Sequence, residues 1–329
     1  EGAMAQFLRL GSAHPLYRRM NVLALAAALS GEWQVQTRLQ GPSQPLPPGA
    51  LDKALERFAA WRTWSGPAPG RLLLARGLAA GGRAPQAREV LRQLDADPFP
   101  AAWRRAAALE EAVLANQPAA LGARPGAAAT PTSAAGKIDG RLDEAVWRAA
   151  APLRLRLADG TAPPTELACT VRLLRTAGAL LAALDLPDAE GRVWEIALAL
   201  DADRDGWTQM VFRCDTLGEK DARLEMRYGP SARLDAHAFF VQARREGGRY
   251  AFEMAVPVAG AQGRPEAGGL WNFQVLLRAA GRGEGALLSF APQEDARLLP
   301  ERYGVLQLPP APADRKSTRL NSSHCTPSR

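Results

Sequence analysis

"KIDGRLDEAVWRAA" (residues 137–150) divides this chain into two parts of different character. Its own chemistry is a turn leading into a helix. Asp139-Gly140 suits a tight turn, Asp143 and Glu144 suit the positive end of a first helical turn, and Val146 and Trp147 would anchor that turn on a core. Before it, residues 118–136 are mostly Ala, Pro, Gly and Thr without periodicity, which reads as a flexible linker. After it the apolar period becomes two.

That period defines strands. In "LACTVRLL" (167–174), Cys169, Val171 and Leu173 share a face. "VWEIALALD" (193–201) turns Trp194, Ile196, Leu198 and Leu200 inward, and Glu195, Ala197 and Ala199 outward. "TQMVFRCD" (208–215) groups Met210, Phe212 and Cys214, and "RYAFEMAVPV" (249–258) groups Tyr250, Phe252, Met254 and Val256. With "WNFQVLLRA" (271–279) and "YGVLQL" (303–308), these segments describe an antiparallel β-sandwich over residues 137–309. Both cysteines fall on inward faces and read as buried thiols, with a disulfide as the alternative.

Taken together, Ile138-Asp139-Gly140-x-Leu142-Asp143-Glu144-x-x-Trp147-x-x-Ala150 at the head of such a sandwich resembles the start of family 9 carbohydrate-binding modules. "YAFEMAVP" resembles the Tyr-x-x-Glu strand of that family, and "WNFQVLLR" and "LSFAPQ…PERYGVLQL" resemble its last strands. The resemblance implies a non-catalytic sugar-binding module acting outside the cytoplasm. It also implies a site of two tryptophans stacked on a sugar ring, with a Glu and an Arg on the hydroxyls. Aligned on Asp201, the first Trp position falls near Gly191, the Glu at Ala197 and the Arg at Arg213; aligned on "PERYG", the second Trp position falls at Arg297. The sugar candidates are therefore Arg213 and Arg297, with Trp194 and Trp207 near enough to replace the missing stacking rings.

"DADRDG" (201–206) has the Asp-x-Asp-x-Asp-Gly spacing that opens many calcium loops, so Asp201, Asp203 and Asp205 are candidate ligands. Phe212 stands where an EF-hand needs its bidentate Glu, and an acidic hairpin turn is the competing reading. Sandwiches of this superfamily also include haem-binding electron-transfer domains, for which Met210, Met226, Met254 and His237 are the available ligands. Met210 and Met254 read as core by alternation.

Residues 1–117 read as helical. "LDKALERFAAWRTW" (51–64) has helical apolar spacing, and residues 71–100 place Leu74, Ala75, Leu78, Gly82, Ala87, Leu91 and Leu94 as in a tetratricopeptide repeat. Such hairpins usually dock a protein partner. Trp61, Trp64 and Trp103 read as packing aromatics, or alternatively as the lining of a groove. "RRMNVLALAAALSGEW" (18–33) has the basic start and short apolar run of a secretory signal. It lacks a clean small-residue cleavage site and reads instead as a buried Ala-rich helix.

Residues 310–329 read as a disordered tail. Within it, "DRKSTRLNSSH" (314–324) matches the in-frame translation of a common sequencing-library adapter, so 314–329 is set aside as an assembly artefact. The opening Glu1, in place of Met, suggests a piece of a longer chain. Without 314–329 the formal net charge of +7 becomes +4, and the remaining arginines alternate with acids instead of forming the massed basic face that nucleic acid requires. Cys169 and Cys214 remain, too few for a disulfide framework, and His14 and His237 are too few for a His-based metal site. No nucleophile motif, metalloprotease motif or phosphate loop occurs. The expected function is non-catalytic glycan recognition with a helical protein-docking segment; the alternative is a scaffold whose sandwich has lost its sugar site.

Overall fold

The computed structural model describes Glu56, Arg204 and Gly206 and residues 68–80, 82–96, 99–115, 124–133, 137–188, 193–202, 208–226, 231–234, 239–257, 269–280, 286–293 and 296–309. The readings of 18–33, 51–64 and 310–329 lie outside these residues, apart from Glu56.

Three helices come first: α1 (Ala68–Ala80), α2 (Ala84–Ala96) and α3 (Ala101–Leu114). Gly82 ends the first, at φ +74°. Its N–H donates to the Ala79 carbonyl and that of Arg83 to Leu78, which closes the helix end in a Schellman motif. Leu72, Ala75, Leu91, Leu94, Trp103, Ala106 and Ala107 form the shared core. The small residues let the helices approach closely, and Trp103, only 7% exposed, is a packing residue. No helix among the described residues is long and apolar enough to cross a membrane.

The strands follow: β1 (Gly126–Ala128), β2 (Thr130–Pro131), then the short helix α4 (Ala145–Ala149), β3 (Leu153–Arg154), β4 (Arg156–Leu157), β5 (Thr170–Arg175), β6 (Ala179–Pro187), β7 (Val193–Asp201) and β8 (Thr208–Asp215). After these come β9 (Lys220–Met226), β10 (Ala232–Arg233), β11 (Phe240–Glu246), β12 (Arg249–Pro257), β13 (Gly269–Ala280), β14 (Leu287–Ser289) and β15 (Gly304–Leu308). Among the described residues they form two sheets. Sheet A has the order β1-β15-β13-β7-β8-β9-β10, with β14 on β13 and β4 on β14; sheet B has the order β11-β12-β6-β5-β2, with β3 on β5. Between them lies one core built from the alternating faces, including Trp194, Leu198, Phe212, Phe252, Met254, Trp271 and Phe273. Each such side chain contributes about 1.5–3 kcal/mol of burial. Cys169 and Cys214 are free thiols in this core, both pushed up to about 12 by burial.

The expected linker is in part structure. Residues 126–128 pair in parallel with β15, and 130–131 pair in parallel with β5, so one short segment supplies an edge strand to each sheet. Low-complexity Ala and Thr conceal this because edge strands need backbone partners and little side-chain pattern. Arg124, just before them, is 8% exposed; it donates to Asn272 Oδ1 at 2.8 Å and to the Glu301 carbonyl at 2.6 Å. Burial draws its guanidinium down to about 10.

Two outward residues of β7 are also covered, although Glu195 is exposed. Ala197 and Ala199 point away from the inter-sheet core, yet are 8% and 0% exposed. Tyr303, Val211 and Leu276 pack with them, and Leu287 and Leu298 close the cluster. The chain between β14 and β15 thus crosses the outer face of sheet A.

Candidate functional site

The opening motif is held by Glu253 on β12, a residue with no exposed surface. Glu253 Oε2 accepts from the backbone N–H groups of Asp139 and Gly140, each at 2.8 Å, and Oε1 accepts from Trp147 Nε1 at 2.6 Å. Burial raises the carboxyl above its ordinary value, and the three donors oppose that rise. Gly140 has φ +78°, and a Cβ there would lie 3.1 Å from the backbone of Ala243 and Arg244. The motif and the Tyr-x-x-Glu strand are therefore one structural clamp on the outer face of sheet B.

The sugar candidate Arg213 belongs to the opposite face, on sheet A. Arg213 lies on β8 in register with Ala197 on β7 and Asp221 on β9. Its Nη2 donates to Glu225 Oε1 at 2.7 Å, and its side chain is 38% exposed. Glu225 Oε2 accepts from Gln209 Nε2 at 3.2 Å, which also donates to the Leu298 carbonyl at 3.2 Å. Tyr303 donates its hydroxyl to Gln209 Oε1. The result is a polar chain that runs from a fully buried tyrosine out to a half-exposed arginine. Burial, followed by the nearby carboxylates of Asp201, Glu225 and Glu301, holds the Tyr303 hydroxyl well above its usual range.

Arg297 is exposed, in the segment that Leu298 ties to Gln209, so that segment reaches the face carrying Arg213. Trp194 does not belong to this group. Its alternation on β7 turns it into the core at 0% exposure, and its Nε1 donates to the Pro187 carbonyl at 2.8 Å; it offers no ring face to a sugar. Trp207 and the Gly191 position lie outside the described residues. Glu225, Gln209 and Tyr303 were missed in sequence. The available signal was "KDARLEM" (220–226), whose alternation sends Ala222 and Leu224 inward and Glu225 outward.

For calcium, the one described aspartate of the loop is Asp201, which is 0% exposed. Its Oδ2 accepts from Gly206 N at 3.2 Å and Asn272 Nδ2 at 2.8 Å, the role of a group that closes a hairpin. Asp203 and Asp205 lie outside the described residues, and among the described residues no three His, Cys, Asp or Glu side chains gather to hold a metal. For haem, Met210 and Met254 are core residues at 1% and 0% exposure, while the Met226 side chain and His237 lie outside the described residues.

No protein family matches the sequence, and no curated protein matches it. Among solved structures, the chain is similar to a family 9 carbohydrate-binding module from Caldicellulosiruptor kristjanssonii in complex with cellotriose, at a TM-score of 0.45 and 15% identity, covering 60% of this chain and 99% of that one. The same module in complex with glucose gives 0.45 and 15%, covering 58% and 99%. Likeness at this level fixes no residue correspondence and no ligand.

Proposed function

We propose that the chain is a non-catalytic carbohydrate-recognition protein in which the outer face of sheet A, around Arg213, takes the sugar. The observation that carries this reading is the Arg213–Glu225 pair. It offers a five-donor guanidinium beside a carboxylate, the mix of donors and acceptors that vicinal hydroxyls need, and it is braced from behind by Gln209 and Tyr303. Trp207, six residues before Arg213 in sequence, is the candidate for the stacking ring. The motif resemblance over 137–309 supports the same reading and an extracytoplasmic setting, while a partner-docking role for the helices rests on the repeat-like spacing of residues 71–100 alone.

A second reading, a scaffold that has lost its sugar site, is favoured by one specific observation: Ala197, at the position the resemblance gives to a ligand Glu, is only 8% exposed and packs with Tyr303. One experiment separates the two. The full chain is titrated calorimetrically with neutral oligosaccharides and soluble polysaccharides, with calcium and then with chelator. Saturable binding that weakens at least about tenfold in Arg213→Ala or Trp207→Ala, with the circular dichroism unchanged, supports the sugar site. A folded protein that binds none of the panel leaves the scaffold.

A further inference from the structure

The outer face of sheet B carries a groove far from Arg213 in the fold. It lies between the α4 segment and strands β5, β6 and β12, and encloses about 330 Å³, the small end of the range for ligand pockets. Leu142 and Arg148 form one wall, Arg172, Asp185 and Arg249 the other, and Ala251 lies at its floor. The register explains the opening. Ala251 pairs with Asp185, and its small side chain on this face leaves room that a larger one would fill.

Its charges do not balance. Asp185 Oδ1 accepts from Arg249 Nε at 2.5 Å, and Glu246 at the rim pairs with Arg244 at 3.3 Å. Arg148 makes a hydrogen bond to a neutral group, the Asp143 carbonyl, at 2.9 Å. Arg172 has neither an ion pair nor a hydrogen bond among the described residues, although its Nε is fully buried. A half-buried guanidinium without a partner is costly to keep unless something outside the chain satisfies it.

We propose that this groove is a second binding site, for a hexuronate sugar. The carboxylate pairs with Arg172 and Arg148, the ring hydroxyls meet the Asp185–Arg249 pair, and the ring C–H face lies on Leu142 and Ala251. The guanidinium fork matches a carboxylate in plane, and the apolar floor calls for a ring in place of a bare anion. This site does not depend on the reading of Arg213.

The test is calorimetric titration of the full chain with D-galacturonate and D-glucuronate, beside D-galactose, D-glucose and acetate. At least one uronate binds saturably and more weakly as salt rises, and the neutral hexoses and acetate bind at least about tenfold more weakly. Arg172→Ala lowers uronate affinity at least about tenfold without lowering the melting temperature, because the side chain contributes no internal bond. Ala251→Leu, which fills the floor and keeps every charge, abolishes binding; Arg213→Ala leaves it unchanged, so this site and the sheet A site fail separately. No uronate binding by the folded chain, equal binding of hexose or acetate, or undiminished binding by Arg172→Ala would each overturn the assignment.

Discussion

Glu253 connects two distant parts of the chain through a single carboxylate. Asp139 and Gly140 give it their backbone donors and Trp147 its indole N–H, so removing the carboxylate leaves three polar groups to be satisfied elsewhere. Each buried donor without an acceptor costs about 1–3 kcal/mol. Glu253→Ala is therefore expected to destabilise the chain by about 3 kcal/mol or more, lowering the melting temperature by about 6–12 °C. Glu253→Gln keeps one acceptor oxygen and loses less. Thermal melts of the two variants check this order, and equal melting of wild type and Glu253→Ala would show that the clamp carries no stability. The same residue explains why the opening motif is legible in sequence: Gly140 is required by a positive φ and a close backbone approach, and Trp147 by an acceptor it can reach. Arg172 shows the opposite case, because the lack of a partner is a property of three-dimensional surroundings and leaves no mark in the local sequence.

At the scale of elements, alternation exposes strands that carry large apolar residues on one face and mostly small or polar ones on the other, and hides those apolar on both faces or on neither. β7 and β8 alternate cleanly on their inner side. β6 does not, because Leu181 and Ala183 on its outer side are buried under Trp147 while Leu180, Ala182 and Leu184 fill the inter-sheet core. Its run "ALLAALDLP" consequently reads as neither strand nor helix. β11 lies at an edge and is largely exposed, so it has little apolar pattern to detect. β1 and β2 are shorter still, and besides backbone pairing they give the core only the small side chain of Ala127. Their presence moves the start of the sandwich: Arg124 and the hydrogen bond from Val305 N to the Pro125 carbonyl, at 2.8 Å, belong to it. A fragment of residues 124–309 is expected to melt higher than one of 137–309, which lacks both edge strands and leaves Asn272 and the Glu301 carbonyl without their arginine. Parallel melts of the two fragments test this, and faster amide exchange in β15 of the shorter fragment would locate the loss.

Across the whole molecule, the helical unit is seated on the sandwich through a buried charge cluster. Glu110 of α3 is 2% exposed; its Oε1 accepts from Arg204 Nε at 2.6 Å and its Oε2 from Arg76 Nη1 at 2.7 Å. Arg204 sits at the β7–β8 turn with φ +59° and also donates to the Leu270 carbonyl. A Cβ on Gly206, two residues on, would lie 3.5 Å from Leu72 and 3.6 Å from Trp103, so the tip of the acidic hairpin rests on the helices. This contact was invisible in sequence, where "DADRDG" suggests a cation site and its one arginine passes unnoticed; the charge that meets Arg204 comes from Glu110, 94 residues away. Burial alone would raise the Glu110 carboxyl, but the Arg204 and Arg76 guanidiniums together outweigh it and hold the group below its ordinary value near 4.5. A depressed folded pKa gives stability that is fully present above the unfolded value and lost as pH falls through the folded one. Removing one partner of a buried pair costs about 3–5 kcal/mol. Glu110→Gln, which keeps the size and loses the charge, is expected to cost part of that at pH 7, and the gap from wild type should narrow steadily as pH drops below about 4.5. Denaturant melts of both proteins from pH 7 to pH 3 measure the gap directly. A gap independent of pH would show that the pair is held by shape, with charge contributing nothing to how the helices meet the sandwich.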